Sequence, residues 1–189
     1  MTTQDARLRG VIFDMDGVLC ASEPFTAEAA SRMFAEKGFR VEREEYRPFV
    51  GQGEDRFIGG VAEARGIPMD LQRDKARVYE IYVELIQGRL KALQGAPEFV
   101  AHCRENGFKL AVASSADTIK VEANLREIGL PPSLFDVVVN GSMVERKKPA
   151  PDIFLEAAHR MRLETAQCLV MEDAVAGVEA ARAAGSRCL

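Results

Sequence analysis

Apolar positions along the chain fall into two alternating rhythms. Residues 11–14 form a short run of β-forming side chains that breaks into the acidic, glycine-containing turn Asp14-Met15-Asp16-Gly17, the pattern of a buried strand opening into a site. Residues 110–113, 137–139 and 169–171 repeat it, and each is followed at once by a polar or charged residue: Ser114, Asn140 and Glu172. Helical spacing fills the intervals, as in Val121, Leu125 and Ile128 ahead of the stop at Gly129. Strand alternating with helix predicts an α/β fold, a doubly wound, Rossmann-like and mostly parallel sheet joined by right-handed crossovers. In such a sheet, ligands gather at the carboxyl ends of the strands, where all of these polar residues lie.

The alternation is suspended after the first strand. Phe25, Ala29 and Met33, and later Val78, Tyr82 and Leu85, keep helical spacing only, with glycines and prolines as punctuation. Residues 21–94 are therefore expected to form an inserted α-helical cap, and residues 1–20 with 95–189 the α/β core. A cap entering there would hang over the strand ends and could exclude water from them. After the helix closed by Gly185, Ser186-Arg187-Cys188-Leu189 stands where another strand is expected to begin, so the core is expected to continue beyond residue 189.

Composition narrows the function. The chain has 189 residues, and its 25 basic side chains are dispersed among 29 acidic ones, for a formal net charge of -4. No basic stripe is present, so nucleic acid is not the expected partner. No stretch reaches the roughly 20 apolar residues of a membrane-spanning helix. Cys20, Cys103, Cys168 and Cys188 are widely separated and form no metal-binding spacing, so free thiols in a reducing compartment are expected. His102 and His159 fall in predicted helices away from the strand ends and are assigned no chemistry.

Candidate chemistry concentrates at the strand ends. Asp14 and Asp16, two residues apart, can share one site, and the missing side chain of Gly17 can let backbone amides approach an anion closely. Glu172 and Asp173 end another strand, and several carboxylates on one edge are costly unless a cation lies among them; hard, oxygen-seeking Mg²⁺ fits. Lys148 precedes a proline-started helix and can neutralise phosphate oxygens, while Ser114 sits where a strand meets a helix N-terminus. Singly, each has a plain structural reading: turn or capping acids for Asp14 and Asp16, helix-start acids for Glu172 and Asp173, an N-cap for Ser114, a solvated surface lysine for Lys148.

Together and in order, FDMDG, Ser114 after an apolar strand, KPAPDIF and MEDAVAGVEAARAAG resemble the haloacid dehalogenase superfamily, in particular its β-phosphoglucomutase-like phosphatases and mutases. The resemblance spans nearly the whole chain. It implies Asp14 as nucleophile, Asp16 as general acid and then base, and Ser114 and Lys148 as binders of the transferring phosphoryl group, beside the phosphate cradle already expected at the Gly17 turn. It further implies a Mg²⁺ site of Asp14, the backbone carbonyl of Asp16, and Asp173, with Glu172 acting through water. The segments PFVGQGEDRFIGGVA and ASSADTIKVEANL are also similar to the dehalogenase-like module of plant thylakoid suppressor-of-quenching proteins.

The chain departs from the mutases at two cap positions. Thr26 stands where they carry a histidine, and Glu54 where they carry an arginine that holds a second phosphate, with Arg56 close enough in sequence to substitute. The resemblance thus implies a Mg²⁺-dependent phosphatase acting on a small phosphorylated metabolite, with Glu54 and Arg56 as cap contacts to the substrate. A phosphosugar mutase and a non-catalytic binding module of a larger protein are the alternatives. A monomer without membrane insertion is expected, in the cytoplasm or, for a module of a plastid protein, the organelle's stroma or lumen.

Overall fold

The structure, a computed structural model, describes residues 7–50 and 53–189. Gly51 and Gln52, within the segment PFVGQGEDRFIGGVA, lie outside the described residues. The sheet has five strands: β1 (Gly10–Phe13), β2 (Lys109–Ala113), β3 (Val137–Val139), β4 (Cys168–Met171) and β5 (Arg187–Cys188). All pairings are parallel, in the order β3-β2-β1-β4-β5. The short β5 lies where the sequence predicts a strand to start. Strand order reverses about β1, which puts the first strand at the centre and makes the gap above it the natural ligand crevice.

Helices α4 (Ala96–Glu105) and α5 (Thr118–Glu127) belong with one face of the sheet, and α6 (Asp152–Arg160) and α7 (Val175–Ala183) with the other. Side chains of a strand alternate between faces. Val11 and Phe13 accordingly enter the apolar cluster that includes Val100, Val121 and Leu125, whereas Ile12 joins Val170, Phe154, Ala157 and Ala180 on the far side. A strand buried on both faces has no polar position to spare, which is why it reads as an unbroken apolar run.

Between β1 and α4 the chain forms α1 (Glu23–Glu36), a 3₁₀ turn over Arg43–Phe49, α2 (Glu54–Arg65) and α3 (Leu71–Ile86). Their buried stripes, including Met33, Phe34, Ile58, Tyr82 and Ile86, run continuously into the cluster under Val11 and Phe13. Tyr46 stacks on Phe57 at 4.7 Å between ring centroids, tying the 3₁₀ turn to α2. The two connections to the sheet layer run side by side: the Leu93 amide donates to the Leu19 carbonyl at 2.9 Å, and Cys20 bridges Ala92. All four cysteines are free thiols. Among the described residues, no helix is long and apolar enough to cross a membrane.

Ile12 is fully buried at the centre of the sheet. Ile12→Ala is expected to lower unfolding stability by about 2–5 kcal/mol, the range for large-to-small changes in a core that cannot collapse on the void. Chemical denaturation followed by circular dichroism checks this as a lower midpoint with an unchanged slope.

Candidate active site

In-register parallel strands set their trailing residues side by side. Phe13 pairs with both Val112 and Met171, so Asp14, Ser114 and Glu172 emerge near one another at the sheet's rim. The rim is held by main-chain bonds past the strand ends: Asp14 N–H to Met171 at 3.0 Å and Ser114 N–H to Val139 at 3.1 Å. Above it opens a cleft roofed in part by Phe49, Val50 and Phe57 from the helical segment. Asp14, Asp16, Ser114, Lys148, Glu172 and Asp173 all line it.

At its floor, the buried Lys148 ammonium donates to Asp14 Oδ1 at 2.5 Å and to Glu172 Oε2 at 2.6 Å, with the Ala113 carbonyl at 3.4 Å. Phe154 presents its ring face 5.0 Å from the same nitrogen. Burial pushes the Asp14 carboxyl up to about 7 against the pull of Lys148, and the charges of Glu172 and Asp16 add to the rise. Burial likewise raises Asp173, helped by neighbouring Glu172. For Lys148 burial works to lower the pKa, yet Asp14 and Glu172 together hold it above the ordinary lysine value. One lysine therefore does not neutralise this corner.

Asp14, Glu172 and Asp173 each present a carboxylate oxygen within 4.8 Å of the other two. Three hard oxygen donors at that spacing, with two carboxyls whose charged forms are disfavoured, suit a small divalent cation of the Mg²⁺ type. Two glycines make the arrangement fit. A side chain at Gly17, whose φ is +83°, would put its Cβ 2.0 Å from Asp173 Oδ2, and one at Gly177 would come 2.0 Å from Glu172 Cδ. Glu172 Oε1 also accepts the Ala174 amide at 3.1 Å, just ahead of α7.

Asp16 faces a second group. Its Oδ1 accepts the Ser22 hydroxyl, and its Oδ2 lies 3.0 Å from the Lys120 ammonium, which is also 3.2 Å from Glu54 Oε1. Lys120, in the first turn of α5, is buried. Two buried atoms of the cleft lining have no hydrogen-bond partner among the described residues: Glu54 Oε2 and the Ser115 hydroxyl.

The structure thus gathers Asp14, Asp16, Ser114, Lys148, Glu172, Asp173 and Glu54 around one cleft. Two expected residues stand differently. The N–H of Gly17 donates to the Cys20 carbonyl at 2.8 Å within the turn, and its bare Cα makes room for Asp173. Arg56 is not at the cleft: two residues on from Glu54 along α2 places it on the opposite helix face, where it pairs with Glu63 at 2.9 Å and lies over the Phe49 ring. Asn140, though at a strand end, braces its own loop through Thr118 and the Ser142 amide. Lys120, Ser115 and Glu23 line the cleft and escaped the sequence reading. For Lys120 a signal existed: a lysine in a helix's first turn opposes the macrodipole and calls for a nearby acid.

The haloacid dehalogenase-like hydrolase family matches residues 8–185. Suppressor of quenching 1, a chloroplast protein of Arabidopsis thaliana, is 45% identical over 186 residues; the match takes in 97% of this chain and 18% of that protein, so the chain spans less than a fifth of that relative. A phosphorylated carbohydrates phosphatase of Thermotoga maritima is 34% identical, over 94% of this chain and 82% of its own length. The crystal structure of CbbY from Rhodobacter sphaeroides in complex with phosphate superposes with a TM-score of 0.90 at 29% identity, covering 96% of this chain and 84% of that one.

Gly38 has a φ of +84° in open space, while Gly17 combines a similar φ with contact to Asp173. Gly38→Ala is expected to cost only the left-handed backbone strain, about 1–2 kcal/mol. Gly17→Ala is expected to lose more, and also to abolish any rise in melting temperature that the parent shows on addition of Mg²⁺. Thermal unfolding of the variants with and without Mg²⁺ checks both.

Proposed function

The chain belongs to the haloacid dehalogenase-like hydrolases, and on that premise we propose that it is a Mg²⁺-dependent phosphatase that cleaves a small phosphomonoester, best a sugar phosphate, through an aspartyl phosphate on Asp14. The observation that carries this reading is the Asp14 carboxylate 2.5 Å from the buried Lys148 ammonium, in one cleft with Ser114 and the Glu172-Asp173 pair. Sugar phosphate is favoured by relatives whose names state that activity, the Thermotoga phosphatase among them.

A carboxylate oxygen of Asp14 attacks phosphorus in line as the bond from phosphorus to the ester oxygen breaks. Lys148 and the Ser114 hydroxyl hold the non-bridging oxygens, so the charge that spreads onto them meets donors already in place. Asp16 gives its proton to the departing oxygen. With the alcohol gone, Asp16 takes a proton from water as that water attacks the phosphorus of phospho-Asp14. Inorganic phosphate leaves and both carboxyls return to their starting states. Asp14, Asp173 and the backbone carbonyl of Asp16 would hold the cation, with Glu172 acting through water. When bound it supplies Lewis-acid neutralisation of phosphoryl charge and offsets the mutual repulsion of the carboxylates. The helical segment acts as a cap that keeps bulk water off phospho-Asp14.

The leaving-group side of the cleft sets Phe49, Val50 and Phe57 against Glu54, Glu23 and Thr26. Apolar faces with acceptor oxygens suit the C–H and O–H faces of an uncharged polyol. The unpartnered Glu54 Oε2 is the acceptor assigned to a substrate hydroxyl. A second phosphate there would meet carboxylates, and Arg56 faces away, which disfavours the mutase alternative.

Turnover of a sugar-phosphate panel with Mg²⁺, read as released phosphate, tests the assignment. Asp14→Asn is expected to lose at least about 10³-fold in kcat and Asp16→Asn about 10²–10⁴-fold. Asp14→Asn with wild-type turnover would end the mechanism.

Proton and cation compete for Asp14. Without cation, a carboxyl raised from 3.8 to about 7 favours the fold at low pH, and that contribution is lost as pH rises through 7. Mg²⁺ restores stability on the alkaline side. Its dissociation constant is expected to rise about tenfold per pH unit below 7, and the melting-temperature gain to be larger at pH 8 than at pH 6. Titration calorimetry and thermal unfolding at the two pH values read this, and a pH-independent affinity would contradict it.

A further inference from the structure

Lys120 has no part in the scheme above, yet its surroundings are too costly for an ordinary packing contact. It lies in the first turn of α5, the helix end where a cation is least favoured, and its side chain is 5% exposed. Its ammonium meets carboxylates from two directions: Asp16 Oδ2 at 3.0 Å, from the turn after β1, and Glu54 Oε1 at 3.2 Å, from the first residue of α2. Tyr82 of α3 turns its ring toward the same nitrogen at 5.7 Å, while its hydroxyl donates to Asn124 on α5 at 2.5 Å. The other Asp16 oxygen is held by Ser22, at the entrance to α1. Side chains next to three helices of the inserted segment thus close on one group from the α/β layer. Adhesion between two layers is obtained with less desolvation from apolar side chains, and a buried cation shared by two acids is better suited to fixing geometry than to adding stability.

The geometry points to Lys120 as a positioning residue: a buried ammonium that ties the Asp16 carboxyl to Glu54 of α2, so that seating of the helical segment over the strand ends and the aim of Asp16 into the cleft are one event. This rests on Asp16 being the proton donor and acceptor proposed above. Asp16 lies past the end of β1, where its main chain bridges Cys20 and its rotamer is left to side-chain partners. Ser22 restrains one oxygen, and Lys120 restrains the other while remaining anchored to α2. Glu54 keeps Oε2 for a ligand because Oε1 is occupied by Lys120. A leaving group that draws α2 down would thereby draw Lys120 and Asp16 with it. Lys120 makes no bond to the reacting atoms and changes only where Asp16 stands when the ester oxygen departs.

The test compares two esters on the full chain with Mg²⁺: 4-nitrophenyl phosphate, whose leaving group departs without protonation, and the alkyl sugar phosphate turned over best by the wild type. Lys120→Met keeps the length of the side chain and removes its charge. It is expected to lower kcat for the alkyl ester about 10²-fold, the scale of general-acid assistance, and for 4-nitrophenyl phosphate less than a tenth as much. Lys120→Arg is expected to recover part of the alkyl-ester loss. Glu54→Gln, which cuts the other arm, is expected to raise KM for the alkyl ester through its own hydroxyl contact and to lower kcat, and only its kcat effect is expected to add less than about twofold in the Lys120→Met background, because in positioning Asp16 the two residues act as a unit. Should Lys120→Met not fold, Lys120→Gln decides by the same contrast between esters. Equal losses on both esters, or independent kcat effects of the two substitutions, would overturn the positioning role while an inactive Asp14→Asn left the phosphatase reading intact. A wild type that turned over neither ester would remove both.

Discussion

The rest of the site depends on one buried ammonium between two buried carboxylates. Lys148 reaches Asp14 from the loop after β3 and bridges to Glu172 after β4, joining segments 134 and 24 residues away in sequence into a single rim. Charges out of water persist only where partners are fixed, so this triad constrains the ends of β1 and β4 and the loop that carries Lys148. The constraint is incomplete by design of its charge. Asp14, Glu172 and Asp173 outnumber the lysine, and the strain appears as an Asp14 carboxyl raised to about 7 by burial. A divalent cation and a phosphoryl dianion bring opposite charges into that corner, and each makes the other easier to accommodate.

A second group, Asp16, Lys120 and Glu54, lies on the side toward the helical segment. The division of labour follows from geometry. Asp14 is fixed to the sheet through its main chain and Lys148, whereas Asp16 is tied to the helical segment through Ser22 and, by way of Lys120, through Glu54. In the proposed mechanism, bond formation would be governed from the sheet, and proton transfer from the part of the chain that meets the leaving group.

Much of the fold was legible because burial on both faces leaves a strand no polar positions. The runs at residues 11–14, 110–113, 137–139 and 169–171 fall on β1 to β4 with ends shifted by one residue at most. The placement of the site was legible where polar residues follow a strand directly, since parallel register brings Asp14, Ser114, Glu172 and Asp173 to one rim; the ordered motifs were needed to separate them from Asn140, which follows β3 and braces its own loop, and to single out Lys148. Residues on helices were harder. Arg56 and Glu54 are neighbours in the chain but face opposite ways on α2, a distinction that depends on the helix's rotation about its axis. Lys120 sits amid a helical pattern where a lysine ordinarily points to solvent, and only the packing of α2 and α3 over α5 buries it. The close approach of Asp173 to the bare Cα of Gly17 was not legible, because Asp173 follows β4 and sequence spacing does not orient it toward the turn after β1.

The central claim is that the carboxylate of Asp14 becomes covalently phosphorylated. Chemical trapping reads that bond directly: acid-quench the protein during steady-state turnover of a sugar phosphate, reduce with borohydride, and map the peptides by mass spectrometry. An aspartyl phosphate at residue 14 is reduced to homoserine, so the account predicts that mass change on the peptide carrying Asp14, only when substrate and Mg²⁺ are both present. Reduction at another carboxylate, or turnover with no reducible acyl phosphate at any residue, would contradict it.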